Sequence, residues 1–302
     1  MNAPLIAGLD AASPRSAITT SRDGLKLHAR IYGPEGSTNL PVLCLPGLAR
    51  THKDFHEIAL ALATDAQAPR RVVCVDYRGR GLSEYDSDWK RYDIRVELDD
   101  VLQQMAALGL AHAVFIGTSR GGLITMAMGA MRPSVIKGVV LNDIGPVIEA
   151  SGLLTIRGYI GKLPQPSDFA AASDILQRLF GSQFTAFGPE QWEMMARRTW
   201  KETPQGLRPD YDPALMKTLE QLDLEAPLPI LWPYFDALKH APMLAIRGEN
   251  SNLFSAATHA EMGRRHPDCA LHTSLGQGHA PVLGSPDVIA KIKRLVAKAE
   301  HQ

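Results

Sequence analysis

The chain is 302 residues long, enough for one large α/β domain or two small ones. Apolar residues make up 45% and charged residues 21%, a globular balance that excludes disordered and fibrous classes. Acidic and basic residues are equal at 32 each, so no net field steers the protein to nucleic acid or to an anionic membrane.

The opening "MNAPLIAGLDAASPRS" has neither the basic start nor the apolar core of a signal peptide, and the first dozen residues are expected to form a loose arm. No stretch approaches the roughly 18 consecutive apolar residues of a membrane span. Cys44, Cys74 and Cys269 are odd in number and show no metal-binding spacing. Cys44 and Cys74 fall in "VLCLP" and "VVCVD", where a small buried thiol is the ordinary reading. The expectation is a soluble, reduced, cytoplasmic protein.

The first predicted elements are an antiparallel pair. In "LKLHARIY", Leu25, Leu27, Ala29 and Ile31 alternate with Lys26, His28, Arg30 and Tyr32, the period of a half-exposed strand. With "AITTSRDG" before it, the chain is expected to turn at Asp23-Gly24. Then come "PVLCLPG", "RVVCVDYRGRG", "HAVFIGTS", "IKGVVLND", "PMLAIRG" and "CALHTSLG". These short, nearly continuous apolar runs suit strands buried on both faces of a mainly parallel sheet.

Helical patterns alternate with them. Over 93–109, Ile94, Leu98, Val101, Leu102, Met105 and Leu108 share one face, and Gly109 supplies the stop. Ser285-Pro286 opens a last helix carrying Ile289, Ile292 and Leu295. Alternation of this kind predicts a three-layer α/β sandwich.

Residues 146–240 break the rhythm, with helical pieces, frequent prolines and no clear strand. Three of the four tryptophans and five of the eight phenylalanines lie here. That aromatic surface predicts a helical cap over a ligand pocket, with a small self-contained helical bundle as the alternative. The domain division is therefore 1–145 and 241–302 for the core, with 146–240 as the cap.

"HAVFIGTSRGG" contains Gly117-Thr118-Ser119-Arg120-Gly121, a G-x-S-x-G between an apolar strand and a helical run. A strand reversing sharply into a helix lifts the serine hydroxyl above the sheet, at a helix end that favours negative charge. With this motif the chain resembles the α/β-hydrolase superfamily. "DYRGRGLS" looks like that family's D-x-R-G-x-G-x-S turn, and "LPGLAR" falls where its oxyanion loop lies, with Pro46 in place of the frequent histidine. "GQGHAP" matches the late loop carrying its histidine. The resemblance implies a mostly parallel eight-stranded sheet, with the cap inserted after the sixth strand.

Ser119 is the candidate nucleophile, and such a hydroxyl needs a base within reach. Of ten histidines, His279 follows the last strand-like run, sits between glycine and proline in a loop and comes late in the chain, as the Ser…acid…His order requires. His52 and His56 read as wall or surface, and the remaining histidines as solvated. The resemblance implies the backbone N–H groups of Leu48 and Arg120 as oxyanion donors. Relatives commonly carry the acid after the seventh strand, where "GENSNLFS" offers only the amide of Asn252. Some carry it at the end of the sixth strand, where "VVLND" offers Asp143, 24 residues past the serine. Asp143 is the first expectation and Asn252 the alternative third member.

The expected reaction is hydrolysis of a small carboxylic ester or lactone through a Ser119 acyl-enzyme. Alternatives are a carbon–carbon hydrolase of aromatic-ring degradation and a ligand-binding protein on the same fold. Arg50, Trp192, Arg197 and Trp232 are the candidate substrate contacts, an arginine suiting a carboxylate-bearing substrate. No phosphate loop, dinucleotide motif or clustered metal ligands are visible, so no cofactor and no metal are expected. The partner expected is a small-molecule substrate, and self-association as a homo-oligomer is left open.

Overall fold

The computed structural model describes residues 13–301. The expected N-terminal arm therefore lies outside the described residues. The sheet is built from β1 (Arg15–Thr20), β2 (Lys26–Tyr32), β3 (Val42–Leu45), β4 (Val72–Val75), β5 (Ala113–Thr118) and β6 (Ile136–Asn142). A long insertion follows β6. It contains α4 (Ala150–Tyr159), α5 (Phe169–Phe180), α6 (Pro189–Thr199), the hairpin β7 (Trp200–Thr203) and β8 (Gly206–Pro209), and short helices α7 (Met216–Glu220) and α8 (Trp232–Asp236). β9 (Met243–Gly248) and β10 (Cys269–Ser274) then complete the sheet. The helices of the sandwich are α1 (His56–Ala63), α2 (Ile94–Ala107), α3 (Arg120–Met131), α9 (Ala256–Arg265) and α10 (Pro286–Glu300).

Strand order is β1-β2-β4-β3-β5-β6-β9-β10. Only β2 runs against its neighbours, pairing antiparallel with both β1 and β4. The sheet is thus eight-stranded and mostly parallel, an α/β-hydrolase fold. The apolar runs explain its two cores. Along β4, Val73 and Val75 enter one core with Leu98 and Val101 of α2 and Ile124 of α3. Val72 and Cys74 enter the other, with Ile58 of α1 and Ile292 of α10. Period two sends alternate side chains to opposite faces, and both faces are covered. Each buried Val or Leu contributes roughly 1.5–3 kcal/mol.

Two local expectations are corrected. The segment 146–240 was expected to hold no clear strand, yet β7 and β8 pair across a two-residue turn, with Thr203 opposite Gly206. Four-residue strands are too short for alternation to show. On β2 the outward face was to include His28 and Tyr32, and both are buried. His28 is covered because Asp76, just past β4, comes up beside it. A strand's own pattern cannot reveal a neighbour's carboxylate.

Candidate active site

β5 ends at Thr118 and α3 begins at Arg120, leaving Ser119 alone at the reversal with φ 51° and ψ −113°. Left-handed backbone at a non-glycine costs on the order of 1–3 kcal/mol and persists only where its surroundings impose it. The flanking glycines impose it here. A Cβ on Gly117 would lie 2.6 Å from the Gly121 carbonyl carbon, and one on Gly121 would lie 2.0 Å from the Leu45 backbone oxygen. The Ser119 N–H donates to the Asn142 carbonyl at 2.9 Å, fixing the turn to β6.

The loop after β10 brings His279 to this turn. Its Nε2 lies 2.9 Å from Ser119 Oγ, and its Nδ1 lies 2.7 Å from Asp143 Oδ2. A carboxylate can only accept, so Nδ1 carries the proton and donates it to Asp143. Nε2 is then free to accept from the serine hydroxyl. Asp143 sits one residue past β6, fully buried, with φ 53°. Its other bonds come from the Gly248 N–H to Oδ1 at 2.7 Å and from the Ser251 hydroxyl to Oδ2 at 2.6 Å. Serine, imidazole and carboxylate thus form one hydrogen-bonded line able to carry a proton from Oγ.

Asn252 stands outside that line. Its Nδ2 donates to Thr155 Oγ1 at 2.8 Å, and its carbonyl accepts from Ser151 at 3.0 Å. The loop after β9 reaches Asp143 through Ser251 instead. In this turn Ser251 faces Asp143 while Asn252 faces Thr155. Glu249 accepts from the Gly276 N–H at 2.8 Å, tying this loop to the one that carries His279.

Among the described residues, the backbone N–H groups of Leu48 and Arg120 donate to no protein acceptor. Both residues border Ser119. The side chain of Arg120 turns away, its Nε donating to Glu97 and its NH2 to the Tyr92 carbonyl at 2.9 Å.

A cleft opens over Ser119, with about 1100 Å³ of open space including its mouth. Tyr159, Phe180, Met194 and Met195 of the insertion line it. Arg50 also lines it, donating from Nε and NH2 to Asp54 at 2.8 and 2.6 Å and from NH1 to Thr199 Oγ1 at 2.8 Å. Burial opposes the Arg50 charge, but adjacent Asp54 holds its pKa above the usual arginine value. Burial pushes the Tyr159 phenol up to about 12, so it stays a neutral donor. Arg198 lines the same wall and pairs with Glu57 of α1.

Three proposed substrate contacts lie elsewhere. Trp192 is buried in the insertion's own small core against Phe184 and Phe187. Arg197 is exposed, paired with Glu193 and laid over the Phe169 ring. Trp232 stacks on Phe235 and Arg265. On α6 the cleft takes Met194, Met195, Arg198 and Thr199, the i, i+1, i+4, i+5 face. Trp192 and Arg197 line a second groove. Within the pair Arg197-Arg198 that spacing was a usable signal for Arg198 over Arg197, and for Thr199, which sequence reasoning missed.

His28, His52 and Asp76 gather metal-ligating atoms in one place. Their contacts are nevertheless those of hydrogen bonds. Both histidine Nδ1 atoms lie 2.8 Å from the same oxygen, Asp76 Oδ2, and the His52 N–H donates to Oδ1 at 2.8 Å. Burial would raise the Asp76 carboxyl, but the bonds from His28 and His52 carry it well below the carboxylate range. His52 is thereby an anchor for the loop after β3, and neither it nor His28 is solvated.

Known proteins are similar to this chain over most of its length. The chain is 32% identical over 288 residues to 3-hydroxybutyrate-oligomer hydrolase of Cupriavidus necator, covering 92% of this chain and 96% of that one. It is 27% identical to 2-(acetamidomethylene)succinate hydrolase of Mesorhizobium japonicum, over 73% of this chain and 76% of that one. The crystal structure of an alpha/beta hydrolase from Novosphingobium aromaticivorans matches with a TM-score of 0.88 at 38% identity, covering 95% of this chain and 99% of that one. The family model for the alpha/beta hydrolase fold matches residues 41–286. Matched by that model over most of its length and by a relative at 32% identity, the chain belongs to the alpha/beta hydrolase fold family.

Proposed function

We propose that the protein is a serine carboxylester hydrolase acting on a small ester that bears a free carboxylate, with oligomers of 3-hydroxybutyrate as the leading substrate. The observation that carries the reading is the line Ser119–His279–Asp143, with contacts of 2.9 and 2.7 Å, at the floor of an apolar cleft. The relative from Cupriavidus necator supports the substrate class. Arg50 supports the carboxylate, since three of its guanidinium contacts go to Asp54 and Thr199. An arginine has five N–H donors, so two remain for a ligand.

In this reading residues 146–240 act as a cap that holds the ester over Ser119. Ser119 Oγ attacks the carbonyl carbon while His279 Nε2 takes its proton, and Asp143 steadies the imidazolium. The oxyanion is met by the Leu48 and Arg120 N–H groups, each worth roughly 3–4 kcal/mol of barrier. His279 then protonates the departing alkoxide, leaving an acyl-Ser119. Water enters and attacks the acyl carbon while giving a proton to His279, which passes it to the departing Ser119 Oγ, releasing the acid and restoring the serine. The binding-protein alternative drew on the amide at Asn252, and a carboxylate on His279 removes that motive.

The test pairs a fluorophosphonate label with acid release from 3-hydroxybutyrate dimer and p-nitrophenyl butyrate. Labelling confined to Ser119, and turnover of both esters abolished by Ser119→Ala, are expected. Turnover of a ring-fission diketo acid with both esters untouched would move the reading to carbon–carbon cleavage.

A further inference from the structure

Glu97 takes no part in the steps above, yet it is a fully buried carboxylate between two arginines. It lies in the first turn of α2. Arg80 NH1 is 2.7 Å from its Oε1, and Arg120 Nε donates to its Oε2. Arg80 is itself wholly buried and faces the rings of Tyr77 and Tyr92 at 5.6 and 5.3 Å. Buried triads of this kind rarely improve stability, because desolvation costs about as much as the attraction returns. Apolar side chains would fill the space as well, so the triad calls for another account.

Its two arms supply one. Arg80 Nε donates to the Leu48 carbonyl at 2.8 Å, on one of the two residues whose N–H groups face the nascent oxyanion. Arg120 is the other. One carboxylate thus ties together the loop after β3 and the first residue of α3, by an ion pair to Arg80 NH1, which itself donates to the Arg78 carbonyl at 2.6 Å, and by the hydrogen bond from Arg120 Nε. Two arginines against one glutamate also leave a net positive charge behind the Leu48 peptide, which favours an anion in front of it.

We propose that Glu97 is a positioning residue which, through Arg80 and Arg120, sets the spacing of the two backbone donors that receive the oxyanion. The proposal rests on the ester-hydrolase reading. Donors must lie about 2.7–3.1 Å from the oxyanion, and outright loss of one costs about 10²–10³ in kcat. A donor pair that is loosened but present costs less.

The experiment compares wild type with Glu97→Gln, which keeps the size and accepts from only one arginine. Steady-state kinetics use p-nitrophenyl butyrate. Binding uses a butyl trifluoromethyl ketone, which adds to Ser119 and places an oxyanion on the two donors, and butyramide, which does not. For Glu97→Gln, kcat falls about 10- to 100-fold with KM within about twofold, ketone affinity falls by the same factor, and butyramide affinity stays. Should that variant not fold, Arg80→Lys keeps the charge and gives up the Leu48 bond. It shows the same pattern at about tenfold. A folded Glu97→Gln or Arg80→Lys with unchanged kcat overturns the proposal, as does a fall in kcat with ketone affinity intact. A wild type that neither cleaves the ester nor binds the ketone overturns the hydrolase reading and this proposal together.

Discussion

Replacing Asp143 by asparagine removes one charge and changes one atom. The three donors that converge on the carboxylate are the His279 Nδ1–H, the Ser251 hydroxyl and the Gly248 N–H. If the amide nitrogen takes the Oδ2 position, it meets the His279 Nδ1–H with another donor. The imidazole then moves its proton to Nε2, which would donate to Ser119 Oγ instead of accepting from it, and the base is lost. If the nitrogen takes the Oδ1 position, the Gly248 N–H loses its acceptor in a fully buried site. The charge that steadies the imidazolium is absent in both cases. Loss of the tautomer and of the charge together is worth roughly 10⁴ in kcat, or about 5.4 kcal/mol of barrier. The assay is p-nitrophenyl butyrate hydrolysis beside a thermal melt, to separate chemistry from unfolding. Asn252→Asp is the partner measurement, expected to change kcat by less than about twofold because that side chain bonds Thr155. A folded Asp143→Asn enzyme with near-normal kcat would refute the reasoning. So would a thousandfold gain in Asn252→Asp.

The Arg50 assignment predicts a change in selectivity. With Asp54→Asn added so that no acid is stranded, Arg50→Met should lower kcat/KM for 3-hydroxybutyrate dimer at least about tenfold relative to p-nitrophenyl butyrate. Equal losses on both esters would show that Arg50 only supports the wall. Stability should also fall in acid through His266, whose pKa lies below the usual value because burial disfavours its charge. Its Nε2 donates to the Leu238 carbonyl at 3.2 Å and its Nδ1 accepts the Asp268 N–H at 3.0 Å, so a second proton would break that bond. The unfolded chain takes the proton first as pH drops, so stability is complete above about pH 6.5 and declines below it. Thermal melts from pH 7.5 to 5 should show this decline flattened in His266→Gln, and an unchanged slope would exclude His266 as a source.

Features carried by local pattern were legible from sequence. The double-faced strands announce themselves as apolar runs because both faces meet helices. The Ser119 turn is marked by glycines that backbone contacts demand. What escaped depends on contacts between distant segments. His28 is buried by Asp76, 48 residues away, and Arg198 is drawn inward by Glu57, 141 residues away. Trp192 and Trp232 show the converse error. Aromatic content marked the insertion as ligand-facing, but its own core and the flank of α9 consume those rings. Of α6, the side that carries Met194 and Arg198 turns toward Ser119's cleft, beside Tyr159 of α4 and Phe180 of α5.

Thr118 and Asn142 are paired partners at the ends of β5 and β6, and Ser119 and Asp143 are the next residue on each. Two of the three aligned groups therefore share the frame of two paired inner strands, and only the imidazole arrives on a loop. The segment after β9 carries no acid on His279; it supplies the Ser251 hydroxyl to Asp143 and, through Glu249, a tie to the loop of His279, while the Gly248 amide comes from the end of β9 itself. The residues just past Ser251 still serve the site, because the Leu253 and Phe254 N–H groups donate to the Ser251 hydroxyl at 3.3 and 3.2 Å and so fix the group that donates to Asp143. In this chain the carboxylate inherits its place from strand pairing, and the imidazole takes its place from the loop that follows β10.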